Sequence, residues 1–290
     1  MRFELIYIME LHLEKLRLLE QTANKIRQAI IEMLVQAGSG HSAGPLGMAD
    51  IFTAFYFHIL NHDPRNADWP DRDRLILSHG HICPARYAAM AYAGYLPLDE
   101  LATLRKINSR LQGHPYRGSL PGVETTSGPL GCGLGQAIGM ALAAKLDNKK
   151  YRVYCLMSDG EQQEGNTWES AMFAAKNRLS NLTAFIDRNY IQIDGSTEDV
   201  MPIEPLRDKY EAFGWHVLEI DGHNLEQIID AVNEAKAIYE KPTLIISHTI
   251  PGKGVSFMER DYRWHGKPPN LEEAKQALEE LKLAATKLKS

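Results

Sequence analysis

Two polar stretches carry residue types that can hold a cation. Ser158-Asp159-Gly160-Glu161 opens an acidic turn, and thirty residues beyond Asp159 the apolar run LTAFI gives way to Asp187, Arg188 and Asn189. A carboxylate, an amide oxygen and nearby main-chain carbonyls are hard oxygen donors. They suit an octahedral magnesium ion that keeps positions for phosphate oxygens and water. Gly160 lets a phosphate approach the backbone, and a helix beginning near Asn166 can point its positive end inward. Taken singly, Asp159 also reads as a helix cap and Asn189 as a turn residue, because such side chains lead at those positions. The other chemical constellation is histidine. His41, His81, His114 and His265 each stand beside glycine in a loop-like segment, and imidazole exchanges protons near neutral pH without a large pKa shift. Any one of them also reads as a hydrogen-bonded loop residue; His12, His58 and His216 are read as structural.

The elements that must position these residues follow from hydrophobic period and punctuation. Apolar side chains from Leu16 to Ala37 form a helical stripe over residues 10–37 that stops at Gly38. GSGHSAGPLG, 38–47, reads as a glycine-rich loop, followed by an aromatic-rich helix at 48–60 and a strand at 74–78 running into His79, Gly80 and His81. A long glycine, proline and threonine loop, 113–135, precedes a helix near 136–146; a loop of that length is usually functional or disordered. Strand and helix then alternate: VYCLM, a helix at 166–179, LTAFI, a helix near 204–213, HVLEI, a helix at 224–239 and TLII. Continuous apolar strands between amphipathic helices indicate an α/β fold with a mostly parallel central sheet covered on both faces. In such a sheet ligands sit beyond the carboxyl ends of the strands, which brings Asp159 and Asn189 to one edge. No linker or repeat divides the chain, so one module over 1–290 is expected. Within it, 1–9 is a variable extension with Met9 as an alternative start, and 270–290 is a C-terminal helix that packs on the module or meets a partner.

Composition narrows the class of protein. With 290 residues, 44% hydrophobic and 24% charged, the chain can bury a substantial core. A net charge of −5 leaves no basic excess for nucleic acid. Cys83, Cys132 and Cys155 are odd in number and without metal-ligand spacing, which argues for structural thiols in a reducing compartment. No apolar run approaches membrane-spanning length and no cleavage site follows the N-terminal segment, so a cytoplasmic protein is expected.

An acidic residue plus glycine at one strand end, with asparagine thirty residues later at the next, resembles the motif by which thiamine diphosphate enzymes hold metal and diphosphate. GSGHSAGPLG, LSHGH, GHPYRGSLPGVETTSGPLGCGLGQAIGMA, SDGEQQEGNTWE, YEAFGWHVLEIDGH and KGVSFMERDYRWHGKP then resemble the successive signatures of transketolases, in the same order, across residues 38–269. The resemblance implies a thiamine diphosphate-binding fold. It further implies that Asp159, Asn189 and the carbonyl of Ile191 bind Mg2+ or Ca2+. Gly160 and His81 would touch the diphosphate with His265 close by, and Gly128 and Leu130 would line the ring pocket. Glu164 would lie behind the metal site and support it electrostatically. His41, His81, His114 and His265 match the family's active-site histidines. Two departures stand out: Ser158 replaces a usual glycine, and Arg188 stands where an acidic or amide residue is common. Both side chains are expected to point away from the metal.

Full-length members continue into a second module that supplies a glutamate for the cofactor's pyrimidine, aromatic residues that stack on it, and arginines for the sugar phosphate. The resemblance therefore implies the N-terminal subunit of a split transketolase. Such a subunit would be active only with a separate pyrimidine-binding chain, as two pairs in a heterotetramer, and by itself it would expose an apolar patch. Such a pair moves a two-carbon ketol unit from a ketose phosphate to an aldose phosphate. The alternatives are the diphosphate-binding subunit of a 2-oxoacid dehydrogenase or a deoxyxylulose phosphate synthase, and a non-catalytic cofactor-binding remnant.

Overall fold

The computed structural model describes residues 2–288; Met1, Lys289 and Ser290, where the expected extension begins and the terminal helix ends, lie outside the described residues. In chain order the helices are α1 (Arg2–Ala37), α2 (Ala43–Gly47), α3 (Ala49–Ala54), α4 (Cys83–Tyr92), α5 (Cys132–Leu146), α6 (Gly165–Lys176), α7 (Thr197–Val200), α8 (Leu206–Ala212), α9 (Leu225–Ala237) and α10 (Leu271–Lys287). The strands are β1 (Arg74–Leu77), β2 (Val153–Ser158), β3 (Leu182–Arg188), the short β4 (Ile191–Gln192) and β5 (Gly195–Ser196), β6 (His216–Asp221) and β7 (Thr243–His248). β1, β2, β3, β7 and β6 lie in that order in one parallel sheet, while β4 and β5 pair as an antiparallel ribbon.

Side-chain alternation divides the core in two. Leu75, Leu77, Tyr154, Leu156, Phe185 and Ile245 face a cluster built with α1, α3, α4, α9 and α10. Ile76, Val153, Cys155, Met157, Ala184 and Ile246 face the other, built with α5, α6 and α8. Successive residues of a strand point to opposite faces, so a sheet covered on both sides needs an unbroken apolar run. The α/β expectation holds, and α10 packs on α1 through Ala274, Ala277 and Leu281.

Three boundaries differ from expectation. The first helix runs from Arg2, so residues 2–9 continue it. Residues 43–47, expected as loop, form α2 and are wholly buried. Its glycines serve close packing, since a Cβ on Gly44 would collide with Ile82 Cδ1. α5 begins four residues early, at Cys132, because Gly131 turns the chain at φ 80°, in the left-handed region glycine favours. Cys132 is exposed at that helix start, whereas Cys83 and Cys155 are buried as expected.

Candidate cofactor-binding site

The parallel register ends β2 and β3 side by side, with Ser158 opposite Asp187, so Asp159 and Asn189 emerge next to each other. Asp159 is fully buried. Its Oδ2 accepts from the Tyr190 N–H at 2.7 Å, one residue past Asn189, and its Oδ1 from the Gly160 N–H at 2.7 Å. The Asn189 amide is oriented by its neighbours: Nδ2 donates to Asp187 Oδ2 at 2.8 Å, and Oδ1 accepts from the Ile191 N–H at 3.1 Å. That leaves a lone pair of the amide oxygen uncommitted. Asp187 is held in turn by the Thr249 hydroxyl.

A cavity of about 360 Å³ opens at this edge. His41, His81, His114 and His265 line it, together with Gly128, Leu130, Gly160, Glu164, Asn189 and Ile191. Of the residues expected at the site only Asp159 is absent from the wall; it sits immediately behind Gly160. The His41 ring lies 4.8 Å from His81, 5.5 Å from His265 and 6.4 Å from His114 between centroids, and His81 lies 5.1 Å from His265. Four segments far apart in sequence thus converge on one pocket lined by both imidazoles and oxygen donors.

Burial sets the electrostatics. It lowers the His41 pKa to about 4, helped by the fields of His265, His114 and Arg105. It also pushes His81 well below its ordinary value and lowers His114 and His265. The sequence expectation of imidazoles without a large shift is therefore not met: removing water around a cation disfavours the charged form. The rings are neutral at neutral pH, each with one donor and one acceptor nitrogen. The carboxylates move the other way. Burial raises Asp159 to about 6 against the pull of Arg188, Tyr190 and Gly160, and raises Asp187 to about 7 against Thr249.

The structure adds to the expectations about neighbouring side chains and overturns the one about Arg188. Glu164 lines the cavity and is exposed in this chain, while Glu161, which was not foreseen, is a buried carboxylate beside it. Glu161 accepts from the Ser78 hydroxyl, from Gly131 N–H at 2.6 Å and from Ser158 N–H at 3.2 Å. It thereby joins the Leu130–Gly131 turn to the β2 end. Arg188 does not point away: Nη1 donates to Asp159 Oδ2 at 3.1 Å. A buried guanidinium cannot be left without partners, and Asp159 is one of three carboxylates it bonds. Ser158 also lines the cavity, and its hydroxyl accepts from Glu161 N–H at 3.2 Å. Gly44, Gln163, Gln192 and Ile193 also line the cavity and were not foreseen; nothing in their local sequence marks them.

The donor set suits a divalent cation bound with a diphosphate. It offers a buried carboxylate, an amide oxygen with a lone pair to give, and adjacent backbone carbonyls. Among the described residues no group of three or more His, Cys, Asp or Glu forms a metal centre, so the cation would be held mainly by mixed oxygen donors.

A doubly covered parallel sheet with such a pocket beyond its strand ends defines an α/β cofactor-binding module. Residues 19–287 match the transketolase thiamine diphosphate binding domain, and the chain belongs to that family. It is 44% identical over 263 residues to a 6-deoxy-6-sulfo-D-fructose transketolase subunit of a Clostridium species, covering 91% of this chain and 96% of that one. It is 41% identical over 270 residues to one of the subunits of apulose-4-phosphate transketolase from Phocaeicola vulgatus, covering 93% and 96%. The crystal structure of Campylobacter jejuni transketolase superposes with a TM-score of 0.82 at 34% identity, covering 93% of this chain and 48% of that one. The chain therefore spans about half the length of the solved transketolases it matches, and nearly all of the two subunits. Among the described residues no helix is long and apolar enough to cross a membrane.

Proposed function

We propose that this chain is the diphosphate-binding subunit of a two-chain transketolase in the cytoplasm. It would bind thiamine diphosphate and Mg2+ or Ca2+, and would transfer a two-carbon ketol unit from a ketose phosphate to an aldose phosphate with a second subunit. The observation that carries this reading is one cavity lined by four histidines together with Gly160, Asn189 and Ile191. Asp159, the Asn189 amide oxygen and the Ile191 carbonyl would hold the cation, while the Gly160 backbone and His81 would take the diphosphate. Gly128 and Leu130 would flank the rings.

When bound, thiamine diphosphate supplies the carbanion and the electron sink for breaking and remaking a carbon–carbon bond beside a ketone. The protein supplies protons and position. Neutral His114 would hydrogen-bond the terminal hydroxyl and carbonyl oxygen of the ketol unit. His41 with His265 would accept the proton of the departing hydroxyl, since burial keeps each ring in the neutral form that carries a free acceptor nitrogen. Glu161 and Arg188 would fix the loops from which these contacts are made.

A pyrimidine-binding partner is supported by the length relation to whole transketolases and by two relatives being subunits. Exposed Met172, Phe173, Val200 and Met201, on and after the helices near the cavity, offer apolar surface for such a partner. Assembly of two such pairs into a heterotetramer follows the same reading. The sugars named for the relatives make sulfonated and branched sugars worth assaying beside xylulose 5-phosphate and ribose 5-phosphate.

The test is reconstitution of the purified chain with the product of a neighbouring reading frame encoding the pyrimidine-binding module. The pair should transfer ketol units between sugar phosphates only with thiamine diphosphate and a divalent cation, and the chain alone should not turn over. Turnover of pyruvate by the pair, or full activity of the lone chain, would refute the proposal.

A further inference from the structure

Arg188 is buried beside the candidate cation site, and its surroundings give it a task. The side chain is 1% exposed, and its five N–H donors make five hydrogen bonds. Nε and one Nη2 proton go to Glu204 Oε1 at 3.1 and 2.8 Å, and the other Nη2 proton goes to Glu198 at 2.9 Å. Nη1 goes to Asp159 at 3.1 Å and to the Thr197 hydroxyl at 2.7 Å. The guanidinium carbon also lies 4.0 Å from the centre of the Tyr190 ring.

These partners belong to two bodies. Asp159 is fixed to the end of β2, whereas Thr197, Glu198 and Glu204 lie on the segment that follows Asn189 and carries Ile191, Gln192 and Ile193 along the cavity wall. We propose that Arg188 is a positioning residue that locks the 190–204 segment onto the Asp159 carboxylate, so that cavity wall and cation-binding carboxylate are set as one unit. The planar fork makes this possible, because a lysine ammonium has three donors at one point and cannot span Asp159 and Glu204 together. Three carboxylates surround one guanidinium, so the cluster keeps the negative field a divalent cation needs. The cation half of this proposal rests on the function proposed above; the anchoring half does not.

The experiment uses the full chain with Arg188→Leu, Arg188→Lys and Glu204→Gln. Amide hydrogen exchange is measured on the chain alone, and magnesium-dependent binding of thiamine diphosphate is followed calorimetrically on the chain with its partner subunit. In Arg188→Leu the amides of Thr197 and Met201, bonded to Tyr190 and Thr197 carbonyls, should exchange roughly tenfold faster or more. Those of Met157 and Ile186 in the sheet should be unchanged. The magnesium concentration for half-saturation should rise about tenfold, with Arg188→Lys and Glu204→Gln in between. Unchanged exchange over 190–204, or exchange raised equally throughout the sheet, overturns the anchoring role. Tighter magnesium binding in Arg188→Leu overturns the positioning role, because it would make the guanidinium a competitor of the cation. If the wild-type pair shows no magnesium-dependent binding, the proposed function and the cation half fail, and the exchange data still decide the anchor.

Discussion

His79 offers the sharpest quantitative test of how burial governs this sheet edge. The residue is fully buried, its Nδ1–H donates to the Leu156 carbonyl at 2.8 Å, and its Nε2 is buried without a partner. Burial lowers its pKa from 6.5 to about 4, with the bond to Leu156 pulling the other way. Because the folded value lies below the unfolded one, the unfolded chain binds more protons between these limits. Stability should therefore fall as pH drops through that window and be fully restored above about 6.5. Between about pH 7.5 and about pH 5 the wild-type chain should lose about 2 kcal/mol through this one ring. His79→Asn removes the titrating group; any pH-independent cost of the substitution cancels when its own loss between the two pH values is compared with that of wild type. Urea denaturation at both pH values measures each loss. The acid sensitivity of the variant should be smaller by about 2 kcal/mol. Equal losses in the two proteins would show that His79 is not held neutral by its surroundings, and the same physical account of His41 and His81 would fall with it.

Other outcomes follow from named contacts. Glu161→Gln keeps one acceptor oxygen but turns an NH2 towards a backbone donor, which should cost about 2 kcal/mol and weaken cofactor binding in the reconstituted pair; unchanged stability by denaturant titration would count against the bridge. Gly131→Ala drives a Cβ into Asn166 Oδ1 at φ 80°, so it should lose at least about 2 kcal/mol by the same titration. His41→Ala and His114→Ala should each lower kcat of the reconstituted pair roughly a hundredfold or more with the melting temperature little changed, checked by steady-state kinetics and circular dichroism. Chelation of the pair by EDTA should abolish turnover, and added magnesium should restore it; persistent activity after dialysis would remove Asp159 and Asn189 from the proposed cation site.

Much of the fold was legible because its signals are local. A doubly covered strand must be apolar at every position, so VYCLM, LTAFI and TLII identify themselves, and helices between them imply parallel pairing. Asp159 and Asn189 follow from the same logic, since parallel neighbours end at one edge. The boundary at residues 43–47 was not legible, because glycine there answers to Ile82, nearly forty residues away, and a close approach leaves no local mark. The N-terminal helix start was missed because residues 2–9 lack a distinct cap.

By itself the sequence determined which residues meet at the pocket: apolar period and strand ends bring Asp159 and Asn189 to one edge, and the resemblance of its motifs to transketolases adds the four histidines, Gly160 and Ile191. Only the tertiary structure decided how they are charged and held. It added Glu161 as a buried carboxylate, turned Arg188 onto Asp159, and made the imidazoles neutral. The physical reason is that a charge's energy depends on the water removed around it and on partners brought in from distant segments. Neither quantity is written in the residues beside it.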